Sequence, residues 1–160
     1  QRLGLTARVV AADAAMWSPD AKFDAVLLDA PCTGTGTLRR HPDLAHLKEP
    51  KDLKELTVLQ ARLLRHAVSL LRPGGRLVYC TCSLEREEGE DQIAALLGER
   101  PELRLDPIRS CEISGHDTWL NGDGALRTLP FDFSAGDAKM AGIDGFFAAR
   151  LILSGDGEQT

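Results

Sequence analysis

The sequence predicts an α/β domain built on a largely parallel β-sheet. Apolar runs at positions 7–12, 23–28 and 76–79 are typical of buried strands. A helical repeat of apolar residues separates the second run from the third, and a pair of strand candidates closes the sequence. Strands that alternate with helices favour parallel pairing, because parallel neighbours need a crossover connection. The length of 160 residues suits one domain with one core.

The predicted elements follow one another in a regular order. Residues 1–5 are typical of a helix end with Gly4 at its C-cap. The long helix begins near Asp52, a suitable N-cap, and stops at a Pro-Gly-Gly turn. Ser83 caps the next helix, whose first turns hold an acidic run that the helix dipole favours. The remaining predicted elements are strands at 103–105, 126–129 and 145–153, long loops over 111–142, and a flexible tail at 154–160.

Composition excludes several classes of protein. No apolar run approaches the ~20 residues that span a bilayer, and the N-terminus does not have the pattern of a signal peptide. Four cysteines in 160 residues are too few for a disulfide scaffold. We therefore interpret Cys32, Cys80, Cys82 and Cys111 as reduced thiols in a cytoplasmic protein.

The distribution of charge is more informative than the net charge of −5. Residues 36–72 hold eight Lys and Arg against four Asp and Glu, whereas residues 83–160 hold seven against sixteen. The net charge is not what a nucleic-acid binder usually shows, so contact of the basic segment with a polyanion is one interpretation of its local charge. A solvated helix face explains the same excess without any partner, and the composition alone leaves both interpretations open.

Two polar stretches stand where predicted strands end. Asp29-Ala30-Pro31-Cys32-Thr33-Gly34-Thr35-Gly36 follows the strand at 23–28, and Tyr79-Cys80-Thr81-Cys82-Ser83 ends the strand at 76–80. In open α/β sheets, ligands bind in the crevice outside the carboxyl ends of the strands. A carboxylate and two thiols delivered to one crevice indicate covalent chemistry on a small polar ring. The two glycines are expected to let the backbone approach that ring closely.

These motifs resemble those of the Sun/Nop-type RNA (cytosine-C5) methyltransferases. The resemblance covers most of residues 8–98 and resumes near 142–152, through Leu-Arg-Arg-His-Pro-Asp, Leu-Arg-Pro-Gly-Gly and Asp-Gly-Phe-Phe. It implies a Rossmann-like, class I methyltransferase fold with an antiparallel C-terminal strand. It also implies S-adenosylmethionine as methyl donor and rRNA or tRNA as substrate. Residues 1–153 would be the C-terminal portion of one catalytic domain.

The resemblance also implies roles for individual residues. Cys82, in Thr-Cys-Ser, would be the nucleophile that adds to cytosine C6. Cys32 would assist release of the product, and Asp29 would lie near both the methyl donor and the target base. Asp13 would contact the adenine of the donor. Arg39, Arg40 and His41 are candidates for contact with RNA phosphate.

Other interpretations of the same residues stay open. Asp13 and Asp29 are also suited to capping the turns that follow them. Cys80 and Cys82 are two residues apart on a strand, which suggests a zinc site, although paired Cys-x-x-Cys spacing is absent from the sequence. We interpret Cys80 and Cys111 as packing residues. A non-catalytic RNA-binding or scaffolding module with the family fold is the alternative function.

The chain departs from the family at its beginning. A glycine-rich donor motif and the acid that holds the ribose of the donor are missing, as are the first two strands of the fold. We therefore expect the 160-residue chain to be inactive by itself. The segment 7–12 is expected to be displaced, to pair with the strand at 23–28, or to pair with another copy. An exposed sheet edge would then favour self-association.

Overall fold

A single β-α-β unit forms the centre of the fold. The computed structural model describes residues 4–134 and 141–155. Residues 1–3 of the helix end predicted over 1–5, and most of the predicted tail, lie outside the described residues. The helices and strands are β1 (Phe23–Asp29), α1 (Leu44–Leu47), α2 (Pro50–Ser69), β2 (Leu71–Thr81), α3 (Glu90–Glu99), β3 (Leu103–Leu105), β4 (Leu126–Thr128) and β5 (Phe146–Leu153). Short 3₁₀ turns lie at Thr35–Thr37, Arg86–Glu88, Ser110–Ile113 and Asp117–Trp119.

The five described strands form one mixed sheet in the order β1-β2-β5-β3, with β4 paired to β5. β1 and β2 are parallel, while β5 runs antiparallel to β2, β3 and β4. The predicted α/β class, the largely parallel strand directions and the antiparallel C-terminal strand are confirmed within the described residues, because β1, β2, β3 and β4 run in one direction and β5 opposes them. Helix α2 joins β1 to β2 and α3 joins β2 to β3, whereas β5 enters the sheet between β2 and β3 from a loop, which allows the opposite direction.

Helix α2 covers one face of the sheet and begins earlier than predicted. Glu49 is the N-cap and Pro50 the first helical residue, while the Asp52 carboxylate accepts a hydrogen bond from the Glu49 N–H at 2.8 Å. Asp52 is therefore the reciprocal partner of a capping box rather than the cap itself. The apolar side of α2 packs on the sheet, and the shared core includes Leu64, Val68, Leu77, Tyr79, Phe147 and Leu151.

The acidic segment after β2 also differs from its prediction. Ser83 does not cap a helix: its hydroxyl accepts the N–H of Glu85 and closes a local turn. A 3₁₀ turn then precedes α3, whose N-cap is Gly89. One member of the acidic run, Glu88, is the last residue of this turn and is fully buried, instead of lying at the solvated start of a helix.

Strand β1 is an exposed edge of the described sheet. Its only pairing among the described residues is with β2, and Leu27 is 70% exposed. Residues 7–12 are coil rather than a strand, with Val9 89% exposed. The predicted strand is thus wrong: within the single described chain, residues 7–12 do not pair with the strand at 23–28, and pairing with another copy stays a prediction. A strand needs a partner for its backbone groups, and this segment has none in the described chain.

None of the helices in the described parts of the chain combines the length and the apolar character that crossing a membrane needs.

Candidate active site

The structure brings the two predicted catalytic thiols together. Cys32 follows β1 and Cys82 follows β2, and these neighbouring parallel strands end at the same edge of the sheet. The sulfur atoms of Cys32 and Cys82 lie 3.5 Å apart, and both side chains are half-buried. Fifty residues of sequence separate the two thiols, so their contact depends on the β1-α2-β2 crossover.

Three backbone segments cross beside this thiol pair. The Gly36 N–H donates to the carbonyl oxygen of Cys82 at 3.0 Å, and the Gly145 N–H donates to the carbonyl oxygen of Gly36 at 2.8 Å. A Cβ on Gly36 would lie only 2.0 Å from the Gly145 carbonyl oxygen. Gly34 adopts a φ of +75°, a left-handed backbone conformation that glycine adopts more readily than residues with a Cβ. The crossing ties the Cys32 and Cys82 loops to the start of β5.

A buried hydrogen-bond network lies beneath the Cys32 loop. Both oxygens of the Glu88 carboxylate accept the N–H of Thr33, at 3.0 and 3.1 Å, and one also accepts the Thr33 hydroxyl at 2.5 Å. The Gln60 amide donates to Glu88 at 2.9 Å and to the Pro31 carbonyl oxygen at 2.8 Å. The residues on both sides of Cys32 are therefore held from within the core.

The Cys82 loop is held by a second set of contacts. The Thr35 hydroxyl accepts the N–H of Leu84 at 2.9 Å, and the Arg127 guanidinium donates to the Ser83 carbonyl oxygen at 2.6 Å. Arg127 also forms an ion pair with Glu90 at 2.5 Å. Burial alone would raise the pKa of Glu90, but the hydrogen bonds from Arg127 lower it. These contacts link the Cys82 loop to α3 and β4.

The thiols differ in their tendency to ionise. Burial, followed by the neighbouring Cys82 sulfur, raises the pKa of Cys32 from 9.0 to about 12. Burial, followed by the charge of Asp29, raises the pKa of Cys80 from 9.0 to about 11. Their raised pKa values keep Cys32 and Cys80 as neutral thiols well above pH 7, and the Cys32 thiol can donate a hydrogen bond to the Cys82 sulfur.

The two predicted donor-site carboxylates lie in different surroundings. Asp29 is exposed at the end of β1, where its carboxylate accepts the Cys80 thiol at 3.7 Å. Asp13 is exposed in a turn, and its carboxylate accepts the N–H of Ala15 at 2.9 Å. The turn-capping alternative thus describes what Asp13 does in this structure. Contact of either residue with a methyl donor stays a prediction.

The candidate RNA-binding residues lie on the surface near the crossing. Arg39, Arg40 and His41 are all exposed. Arg40 forms an ion pair with Asp144, and a nitrogen of Arg39 lies 4.0 Å from the same carboxylate. One carboxylate therefore faces two guanidinium groups, which leaves a positive balance for a phosphate. Their contact with RNA stays a prediction.

The other two cysteines divide between two environments. Cys80 is buried, as a packing residue should be, whereas Cys111 is exposed, so the interpretation of Cys111 as a packing residue is wrong. Cys111 lies in a 3₁₀ turn of a polar loop, where no apolar pattern could have indicated burial. No group of three metal-binding side chains occurs within residues 4–134 and 141–155.

Several residues that shape the site were not singled out by the sequence. Glu88 is one acid in a run of acids, Gln60 is a polar position on an amphipathic helix, and Asp144 precedes a strand. Their importance depends on partners that are distant along the chain. The one local signal was Gln60, which falls on the buried side of α2, where a polar residue needs a hydrogen-bond partner.

Solved structures place this architecture among the methyltransferases. A methyltransferase homologue from Pyrococcus horikoshii aligns with a TM-score of 0.60 and 33% identity, over 84% of this chain and 40% of that one. NSun6 from Pyrococcus horikoshii, crystallised with SFG, aligns with a TM-score of 0.70 and 26% identity, over 93% and 35% of the respective chains. The sheet and its paired strand ends are thus those of a methyltransferase domain.

Sequence relatives identify the family within this class. The model of the 16S rRNA methyltransferase RsmB/F family matches residues 1–152. Ribosomal RNA small subunit methyltransferase B of Shewanella oneidensis is 38% identical over 154 residues, which are 94% of this chain and 32% of the relative. The chain belongs to the RsmB/F family of 16S rRNA methyltransferases, and the resemblance to Sun/Nop-type enzymes is confirmed. It spans about a third of the length of the curated relatives it matches.

Proposed function

We propose that this chain carries the catalytic thiols of an RNA methyltransferase that methylates C5 of a cytosine in rRNA or tRNA. The observation that supports this proposal most directly is the 3.5 Å contact between Cys32 and Cys82 at the ends of two parallel strands. A binding or scaffolding module, the alternative function, has no need of two thiols in contact at a ligand-binding edge. The family relation supports the same reaction class.

The proposed reaction needs a thiolate because C5 of cytosine is a poor nucleophile. Cys82 adds through its sulfur to C6, which breaks the C5–C6 double bond and makes C5 enamine-like. S-adenosylmethionine, when bound, supplies the methyl group that C5 takes up. A base removes the C5 proton, and departure of the Cys82 thiolate from C6 then restores the double bond. The Cys82 thiolate is thus regenerated at the end of the cycle.

Cys32 fits a role in the last step. Its raised pKa keeps the thiol protonated at neutral pH, and its sulfur lies in contact with that of Cys82. A protonated Cys32 can donate a hydrogen bond to the Cys82 thiolate as that sulfur leaves C6. Stabilising the leaving thiolate speeds the release of the methylated RNA.

Asp29 fits the donor side of the site better than Asp13 does. Its carboxylate is exposed at the strand end and can accept hydrogen bonds from an amine or hydroxyl group of a ligand. NSun6 was crystallised with SFG, an analogue of S-adenosylmethionine, which supports the same donor here. The carboxylate of Asp13 is already engaged by Ala15, so a donor would have to share it. We expect the complete enzyme to act in the cytoplasm, where its thiols stay reduced.

The target cytosine must leave any stacked helix before Cys82 can reach its face, at a cost of a few kcal/mol. Arg39 and Arg40 stand close to the crossing at Gly36 and suit the phosphates that flank such a base. The basic excess of residues 36–72 supports the same orientation of the RNA.

Cysteine substitutions in the complete enzyme test the two roles. Cys82→Ala should abolish both methylation and the covalent RNA adduct, because the nucleophile is lost. Cys32→Ala should let the adduct accumulate on denaturing gels, because release is impaired. Cys111→Ala, at an exposed thiol, is the matched control and should change neither. If the phenotypes of Cys32→Ala and Cys82→Ala were reversed, the role assignment would be wrong.

A further inference from the structure

We propose that Glu88 is a positioning residue whose buried carboxylate holds the Cys32 thiol against Cys82. This inference rests on the proposed role of Cys32 in product release. Glu88 reaches no part of the expected substrate side, because its side chain is completely buried. It acts through the two residues that flank Cys32 in the chain.

The residue after Cys32 is held directly. The Thr33 N–H donates to both oxygens of the Glu88 carboxylate, and the Thr33 hydroxyl donates to one of them. These bonds restrain both the backbone and the side chain of Thr33. The peptide bond between Cys32 and Thr33 is therefore held in one orientation.

The residue before Cys32 is held through Gln60. The Gln60 amide nitrogen donates both to Glu88 and to the Pro31 carbonyl oxygen, and Gln60 is completely buried on α2. The Tyr79 hydroxyl donates to the backbone carbonyl oxygen of Glu88 at 2.7 Å, which fixes Glu88 itself to β2. Hydrogen bonds therefore fix the residues on both sides of Cys32, which are Pro31 and Thr33.

The chemistry of this network calls for a carboxylate. The recorded partners of its two oxygens are all neutral donors: one backbone N–H, one hydroxyl and one side-chain amide. A carboxylate accepts hydrogen bonds at both oxygens, whereas a glutamine amide would turn an N–H₂ group toward a donor. A buried charge without a cation partner is costly. Its presence directly behind a reactive thiol is explained if the orientation of that thiol matters.

The charge of Glu88 also acts on Cys32 itself. Burial and the Cys82 sulfur are the main causes of the raised pKa of Cys32, and the negative charge of Glu88 adds to them. Glu88 thus favours both the position and the protonated form of Cys32 that release of the product requires.

A proximity assay on the 160-residue chain tests the inference without any need for activity. In a Cys80→Ala background, dibromobimane joins thiols that lie within a few ångströms, and mass spectrometry measures the rate of the Cys32–Cys82 link. Glu88→Gln should slow this cross-linking by roughly tenfold, the scale of one or two net hydrogen bonds. Alkylation of exposed Cys111 should proceed at its usual rate. Glu87→Gln, at an exposed neighbour of the same charge, should leave the cross-linking rate unchanged.

A second, milder variant covers the case in which Glu88→Gln does not fold. Thr33→Val removes the hydroxyl that donates to Glu88 and that also lies 3.3 Å from the Ser83 hydroxyl, but it keeps the Thr33 N–H bonds to Glu88, so it should slow cross-linking in the same direction by a smaller factor. A cross-linking rate within twofold of the parent in a folded Glu88→Gln protein would overturn the inference. With Glu88→Gln unfolded, the same rate in Thr33→Val would do so.

The complete enzyme then separates this inference from the proposed function. If Cys32 assists release, Glu88→Gln should accumulate the covalent RNA adduct as Cys32→Ala does, which loss of stability alone would not produce. Slower cross-linking without an accumulated adduct would uphold the positioning role of Glu88 and refute the release role of Cys32. Normal cross-linking refutes the positioning role whatever the activity is.

Discussion

Gly36→Ala is the sharpest test of how the two catalytic loops are joined. The added Cβ would lie 2.0 Å from the carbonyl oxygen of Gly145 and 2.9 Å from that of Cys82. Both neighbours are backbone atoms, and an unstrained contact needs roughly 3.5 Å. The crossing must therefore open by more than ~1 Å at its tightest point, which removes the hydrogen bonds that join Gly36 to Cys82 and Gly145.

The magnitude follows from these losses. Two backbone hydrogen bonds contribute about 1 kcal/mol each, and forcing atoms into a packed site costs about 1–3 kcal/mol. Gly36→Ala should therefore lower the free energy of unfolding by roughly 3–5 kcal/mol, measured by urea denaturation of the 160-residue chain. Gly98→Ala is the control, because Gly98 is exposed in α3 with no atom within 4 Å of an added Cβ. It should stabilise the chain by up to ~1 kcal/mol. Equal urea midpoints for Gly36→Ala and the unaltered chain would refute this packing.

Three further predictions concern RNA, pH and the methyl donor. Reversing the charges of Arg39 and Arg40 should weaken RNA binding by the complete enzyme and flatten its salt dependence, measured as the slope of log K against log salt. Above pH 9 the unfolded chain loses the Cys80 proton that the folded chain keeps up to about pH 11, so stability falls as pH rises. Cys80→Ala should make that fall shallower by up to ~1 kcal/mol per pH unit. Calorimetric titration of the 160-residue chain with S-adenosylmethionine should show no micromolar binding, ~8 kcal/mol, because Asp13 and Asp29 are the only donor-site residues that the family resemblance predicts in this sequence.

Each of these expectations has a contrary outcome. An unchanged salt slope would assign Arg39 and Arg40 to their pairing with Asp144 alone. If the free energy of unfolding fell equally steeply above pH 9 in Cys80→Ala, a group other than Cys80 would cause that decrease. Micromolar donor binding would show that the donor site lies elsewhere in the chain than the resemblance implies.

The sequence alone determined the parts of this protein that depend on local patterns. The strands β1 and β5, the amphipathic helix α2 and the short strands β3 and β4 were all predicted, because apolar periodicity and turn residues act over a few positions. The convergence of Cys32 and Cys82 was also predictable, since two parallel strands joined by a helix must end at the same sheet edge. The motifs that follow those strands indicated the family, because each motif is a short run of consecutive residues that can be recognised without the structure.

Only the tertiary structure decided which distant groups satisfy one another. It left residues 7–12 as coil, because an extended segment becomes a strand only where another backbone accepts its hydrogen bonds. It inserted β5 between β2 and β3 and so made most pairings in the described sheet antiparallel. It selected Glu88 from a run of acids, because only that carboxylate meets the buried donors of Thr33 and Gln60. A hydrogen bond between residues 55 positions apart leaves no periodic trace in the sequence, although it holds the site together.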